Sequence, residues 1–428
     1  MNLRVCAALA SLAATVAMLL SASPAGAAGS LGYPRGTPVG SFGGISYIQY
    51  DGLFSGHTST GTYRVPYRIT APAQTNRGNR TVLVEPPHFA IGLGALNVYL
   101  RRDLLFPLGF THAGVGWSTT SFGVGFDKRI LDPTVPGVFI NGGVLEENGR
   151  TDEEIIVDFA SALAVDGNAQ AILGRVARRY LTGLSDSSDT VLRLVTSGQA
   201  ARLFDFALPF TASGFDPQTA LVAGRYDGKL IVVDSEIDDP AGLIDRGVAP
   251  RQYRFYSVAG TPHRPDPLDS PSIANGSTPA TYVAALRAHF LQGHRWVEHG
   301  TPPPPSTRLR MDQVGALVRD PNGNAISVDA RRRVPRLPYV ELGEARFISD
   351  FIGSFDNVKS IQALGFHNHH QYLKEFVDKV ADYVEAGYML DEDAAAMRKR
   401  AALCPPLTFT ETYRDHYDAF VASVPCRR

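Results

Sequence analysis

RRYLTGLSDSSDTVLRLV, residues 178–195, crowds three serines and two aspartates into the row Ser185 to Asp189. The residues before this row read as a buried strand, and those after it carry apolar side chains at helical spacing. Gly183-Leu184-Ser185-Asp186-Ser187 therefore stands at a strand-to-helix turn and fits the small-x-Ser-x-small pattern. Such a turn is so tight that the residues two places either side of the central serine must be small. A serine-rich turn that only caps a helix has much the same composition. The order of the reactive residues further along the chain separates the two readings.

Two later apolar runs each end in a reactive group. LIVVDSEIDD, 230–239, closes on four carboxylates, and YRFYSVAGTPHR, 253–264, places His263 on a Gly/Thr/Pro turn. Serine, then acid, then histidine, each behind its own strand, is the chain order of an α/β-hydrolase triad. Ser185 is the candidate nucleophile and His263 the candidate base. Spacing from the strand end favours Asp238 as the orienting acid, with Glu236 a close rival. Asp234 and Asp239 read as solvated loop charges or helix caps. The amide of Asp186, at the start of the helix, is placed to receive an oxyanion. A second donor is expected from EPPHFAIGLGA, 85–95, with Phe89 the candidate, and His88 is a candidate for the site mouth. Acyl transfer by this set requires no cofactor and no metal. The i and i+2 histidines of FHNHHQY, His367, His369 and His370, lack a flanking acid and make a poor metal site. Trp117 reads as core.

Upstream, Ile45 to Tyr50, Thr62 to Ile69 and Arg80 to Val84 are rich in β-branched and aromatic residues, and strands alternate with helices from there on. That pattern predicts a mostly parallel central sheet flanked by helices, the α/β-hydrolase fold, in one large α/β core over 29–300. Thr151 and Glu154 have capping-box spacing ahead of IIVDFASALAV. Thr281 to Val297 predicts a helix stopped by TPPPPS at 301–306, and helices are expected from Tyr372 to Ala402. Residues 301–428 form a C-terminal extension packed on the core.

The 428 residues carry 41 basic and 42 acidic side chains, so no net field attracts nucleic acid or an anionic membrane surface. The N-terminus has Arg4, an apolar run from Val5 to Leu20 and Ala25-Gly26-Ala27, the pattern of a secretory signal peptide over 1–28. Its removal takes Cys6 with it and leaves the pair Cys404 and Cys426, expected to form a disulfide in an exported protein.

YRVPYRITAP, TVLVEPPH, GLSDSS, VVDSEIDD and VAGTPH, followed by a helix and PPPPS, together resemble the α/β-hydrolase-domain proteins often exported by bacteria. The resemblance runs from about residue 45 to 395, and its most specific parts are AGTPH and the elbow. It implies a serine hydrolase, and the S-E-x-D segment of that family falls at Ser235 to Asp238. The elbow departs from the family form G-x-S-Q-S-G followed by arginine: Asp186 replaces the glutamine, and Ser188-Asp189 replace the glycine and arginine. A carboxylate beside the nucleophile disfavours further negative charge there. The expected protein is a secreted enzyme cleaving small-molecule carboxylic esters through an acyl-enzyme. It has no nucleic-acid partner and no integral membrane association after signal cleavage. The same triad also serves amides, lactones and peptide bonds, and a binding protein on a lapsed hydrolase scaffold is the competing class.

Overall fold

The computed structural model describes residues 29–59, 61–88, 93, 99–100, 102–116, 151–239, 243–265, 278, 280–328 and 334–403. The proposed signal segment, Phe89, Trp117, Cys404 and Cys426 lie outside the described residues.

Among the described residues ten strands form one sheet. In chain order they are β1 (Ser30–Leu31), β2 (Arg35–Phe42), β3 (Ile45–Thr58), β4 (Gly61–Pro72), β5 (Thr81–Glu85), β6 (Thr111–Val115), β7 (Arg178–Leu184), β8 (Phe206–Phe210), β9 (Lys229–Ser235) and β10 (Tyr253–Val258). Across the sheet the order is β1-β3-β4-β6-β5-β7-β8-β9-β10, with β2 also paired to β3. From β6 to β10 every neighbour pair is parallel, whereas β1 to β4 are antiparallel. The mostly parallel sheet is as the sequence pattern predicts.

Period-2 alternation decides which side chain meets which layer. Along β9, Leu230 and Val232 join one core and Ile231 and Val233 the other, so a continuous apolar run is what a strand buried on both faces requires. Helices α1 (Thr151–Val165), α2 (Gly167–Leu173) and α3 (Asp186–Ser197) bury apolar side chains in the first core. Helices α4 (Val283–His299), α5 (His369–Glu385) and α6 (Asp391–Leu403) contribute to the second, which also takes in Val334, Tyr339 and Phe347. Among the described residues no single helix is long and apolar enough to cross a membrane.

The helices expected from Tyr372 to Ala402 are α5 and α6, parted at Gly387, whose φ of +84° suits glycine and where a Cβ would stand 2.8 Å from Pro304 and 2.9 Å from Gln292. Two local expectations change. The strand expected over Ile45 to Tyr50 is β3, which runs on to Thr58 with β4 paired to it from Tyr47 to Thr58. Glu154 does not turn back on its own helix. Its carboxylate accepts from the Ser59 amide and hydroxyl, both at 2.6 Å, fastening α1 to the β3–β4 turn.

Candidate active site

The turn between β7 and α3 holds Ser185 at φ +54°, ψ −119°, a backbone conformation that a side chain adopts only under constraint. The neighbouring polar residues supply that constraint. Ser187 Oγ accepts from the Leu184 amide at 2.9 Å and donates to the Leu184 carbonyl at 2.8 Å, closing the elbow on itself. Ser188 Oγ accepts from the Phe210 amide at 3.0 Å and lies within donor reach of the Phe210 and Gly183 carbonyls. Ser185 N donates to Phe210 O at 3.1 Å, and Asp189 accepts from the amide and hydroxyl of Ser213. The row of small polar residues thus ties the turn to the end of β8 and leaves the Ser185 hydroxyl to face elsewhere.

Gly183 is required by space. A Cβ there would sit 2.5 Å from Ser187 O and 2.8 Å from Ser188 N, both backbone atoms that cannot swing aside. Gly183→Ala is expected to destabilise the protein by about 1–3 kcal/mol through this overpacking. Thermal unfolding measures it; an unchanged Tm contradicts the steric account.

His263 follows β10. Its Nε2 lies 2.9 Å from Ser185 Oγ, and its Nδ1 lies 2.9 Å from Asp238 Oδ1. A carboxylate facing Nδ1 makes that nitrogen the donor, which leaves the Nε2 lone pair to accept from the serine hydroxyl. The second oxygen of Asp238 accepts from Ser235 Oγ at 2.6 Å, so the carboxylate is aimed from both sides. Only about one-seventh of the histidine and aspartate side chains is exposed.

The rival carboxylate is engaged elsewhere. Glu236 is fully buried. One of its oxygens accepts from Gly260 N at 2.6 Å, and the other from Ser349 Oγ at 2.7 Å and the Arg319 guanidinium at 2.9 Å. It braces the turn carrying His263 against the chain beyond residue 300.

Asp234 and Asp239 are not solvated loop charges: Asp234 stands in β9 itself, between β8 and β10, Asp239 lies in the loop after it, and both are buried. Asp234 accepts from Ala212 N at 3.0 Å, and burial pushes its carboxyl well above the ordinary range, with the nearby charge of Asp238 raising it further. Asp239 accepts from Leu309 N at 3.1 Å, and burial raises it from 3.8 to about 7. Its folded-state value lies above the unfolded one. The stability linked to its neutral form is therefore complete below about pH 3.8 and is lost as pH rises through about 7. Asp239→Asn, which cannot ionise, is expected to gain on the wild type by up to about 4 kcal/mol between pH 4 and pH 8, because each tenfold change in a group's acidity is worth about 1.4 kcal/mol. Paired melting curves across that range check it, and a constant gap contradicts it.

Asp186 is the first residue of α3, where amides precede the helical hydrogen-bond ladder. Its carboxylate meets the His88 ring, Nε2 to Oδ1 at 2.9 Å, so the loop after β5 is drawn to the elbow. His369 instead donates to Ala401 O at 3.1 Å and joins α5 to α6. Among the described residues no group of three or more His, Cys, Asp and Glu side chains is arranged to hold a metal ion. The sequence reading missed Phe351, whose ring stacks on that of His263 with centroids 5.0 Å apart and planes 19° from parallel. No local signal marks it, because the segment SDFIGSFD reaches the site only through the folding of the chain beyond residue 300.

Solved structures with partial similarity include a CE15 glucuronoyl esterase from Teredinibacter turnerae, at 11% identity and TM-score 0.33, over 53% of this chain and 67% of that one. An S-formylglutathione hydrolase from Agrobacterium tumefaciens matches at 10% and 0.32, over 53% and 91% respectively. An acylaminoacyl peptidase from Pyrococcus horikoshii matches at 11% and 0.31, over 57% of this chain but 38% of that longer one. No curated protein matches the sequence. The family model described as "Alpha/beta hydrolase domain" matches residues 52–399, and the strand order, the elbow and this match together place the chain in the alpha/beta hydrolase domain family.

Proposed function

We infer that this protein is an exported serine hydrolase that cleaves carboxylic esters through an acyl-enzyme intermediate. The observation that carries the reading is the unbroken contact chain Ser185 Oγ, His263 Nε2, His263 Nδ1, Asp238 Oδ1, with both gaps at 2.9 Å. Ser185 Oγ attacks the ester carbonyl as His263 Nε2 takes its proton, and the imidazolium so formed faces the Asp238 carboxylate. The oxyanion is met by the Asp186 amide and by a second amide from the loop after β5, for which Phe89 is the candidate. On collapse His263 returns the proton to the departing alkoxide. Water then attacks the acyl-enzyme with His263 again as base, and the acid product leaves.

Esters are the substrate class that every hydrolytic reading of the site shares. A triad able to expel an amine also expels an alkoxide, which is the better leaving group. The Asp186 carboxylate beside the nucleophile favours substrates that are neutral around the scissile carbonyl. Export rests on the N-terminal pattern of Arg4, Val5 to Leu20 and Ala25 to Ala27.

The test is a fluorophosphonate probe combined with a panel of short acyl p-nitrophenyl esters, amides and lactones. The expected result is a single label on the peptide containing Ser185 and turnover of the esters. A wild-type protein that takes no label is a binding protein on this scaffold, and the reading is wrong.

A further inference from the structure

We propose that the segment 349–353 forms the alcohol-binding wall of the site, and that Phe351 selects esters whose alcohol portion is apolar and, best of all, aromatic. This rests on the serine-hydrolase reading above.

The segment is held against the catalytic loop by its backbone. Asp350 O accepts from His263 N at 3.3 Å, and Phe351 O accepts from Arg264 N at 2.8 Å. Asp350 Oδ1 folds the tip by accepting from Ile352 N at 3.1 Å and Gly353 N at 2.5 Å. Ser349 is bonded to buried Glu236, and Gly353, at φ +84°, lies so close to Thr278 and Pro262 that a Cβ would come within 2.5 Å of Thr278 and 2.8 Å of Pro262. A turn fixed at both ends presents its side chains in one place.

Those side chains are apolar and open to solvent. Phe351 is 58% exposed and Ile352 44%, and Ile237, next to Asp238 in the chain, is 41% exposed. Single exposed apolar residues are ordinary, but here three stand on the two loops that carry or touch the histidine and its aspartate. A small-molecule site is built in this way, from apolar walls around a few placed polar groups.

Chemistry says which part of the ester meets this wall. His263 Nε2 must reach the leaving oxygen to protonate it, so the alcohol portion departs alongside the imidazole. Phe351 covers one face of that imidazole, which puts the alcohol portion, and not the acyl chain, against the phenyl ring. An aromatic alcohol gains ring contact there in addition to apolar burial.

The experiment compares kcat/KM for benzyl acetate and ethyl acetate, whose leaving alcohols are similar in basicity, and for ethyl acetate and ethyl butyrate, which differ in the acyl chain. Phe351→Ala is expected to lower the benzyl-to-ethyl ratio about tenfold, as loss of one well-placed apolar contact does. Phe351→Leu should recover part of that ratio, Phe351→Trp most of it, and the butyrate-to-acetate ratio should stay within about twofold. A benzyl-to-ethyl ratio unmoved in both the alanine and leucine variants, an equal fall for both acetates, or a change in the acyl series instead overturns the proposal. A wild type that cleaves none of these esters and takes no fluorophosphonate label removes the hydrolase reading, and the alcohol wall with it. Active wild-type enzyme with unchanged selectivity in the variants removes only the wall.

Discussion

Replacing Ser185 by alanine is expected to lower turnover of short acyl p-nitrophenyl esters by about 10⁵- to 10⁶-fold and to abolish fluorophosphonate labelling, with the melting temperature close to that of the wild type. The kinetic size follows from the role: loss of the nucleophile removes the acyl-enzyme route, and only binding and oxyanion stabilisation remain. The thermal result follows from geometry. Ser185 Oγ bonds to His263, whereas the elbow itself is held by Ser187, Ser188 and the amide of residue 185, all of which the substitution keeps. His263→Ala should cost a similar factor, and the double variant little more than either, because the pair works as one unit. Residual activity above about one-hundredth of wild type in Ser185→Ala, at confirmed purity, sets the mechanism aside.

The second large effect is a contrast between two carboxylates lying two residues apart. Asp238→Asn keeps the volume but replaces an acceptor facing Nδ1 with an amide that can hold the imidazole in the wrong tautomer; the expected loss in kcat is about ten-thousandfold, with little change in Tm. Glu236→Gln should do the reverse. One oxygen of Glu236 receives an amide and the other receives Ser349 and Arg319 inside the protein. Removing the charge and one acceptor from that buried junction should cost about 1–3 kcal/mol of stability, with kcat kept within about tenfold. Steady-state kinetics and thermal unfolding on both variants decide the matter. If Glu236→Gln is the inactive one and Asp238→Asn the unstable one, the roles are exchanged.

Parts of this site are legible in the chain alone. The elbow is a local steric demand: Gly183 and Ser187 are small because the turn has no room, and that can be read from five consecutive residues. The apolar run Leu230 to Val233 likewise announces a strand with no solvent face, and the order of Ser185, the acid cluster and His263 follows from each standing behind its own strand. Such features depend on interactions between chain neighbours, so their spacing records them.

Tertiary structure alone decided the rest. Glu236 and Asp238 occupy the same loop with the same chemistry, and which one meets the histidine depends on how that loop leaves β9 and on Ser349 and Arg319 arriving from beyond residue 300. The burial of Asp239 against Leu309, and the Phe351 ring lying on His263, have the same origin. A side chain's partners across a distance are set by how whole layers pack on one another, and no periodicity in the chain encodes that.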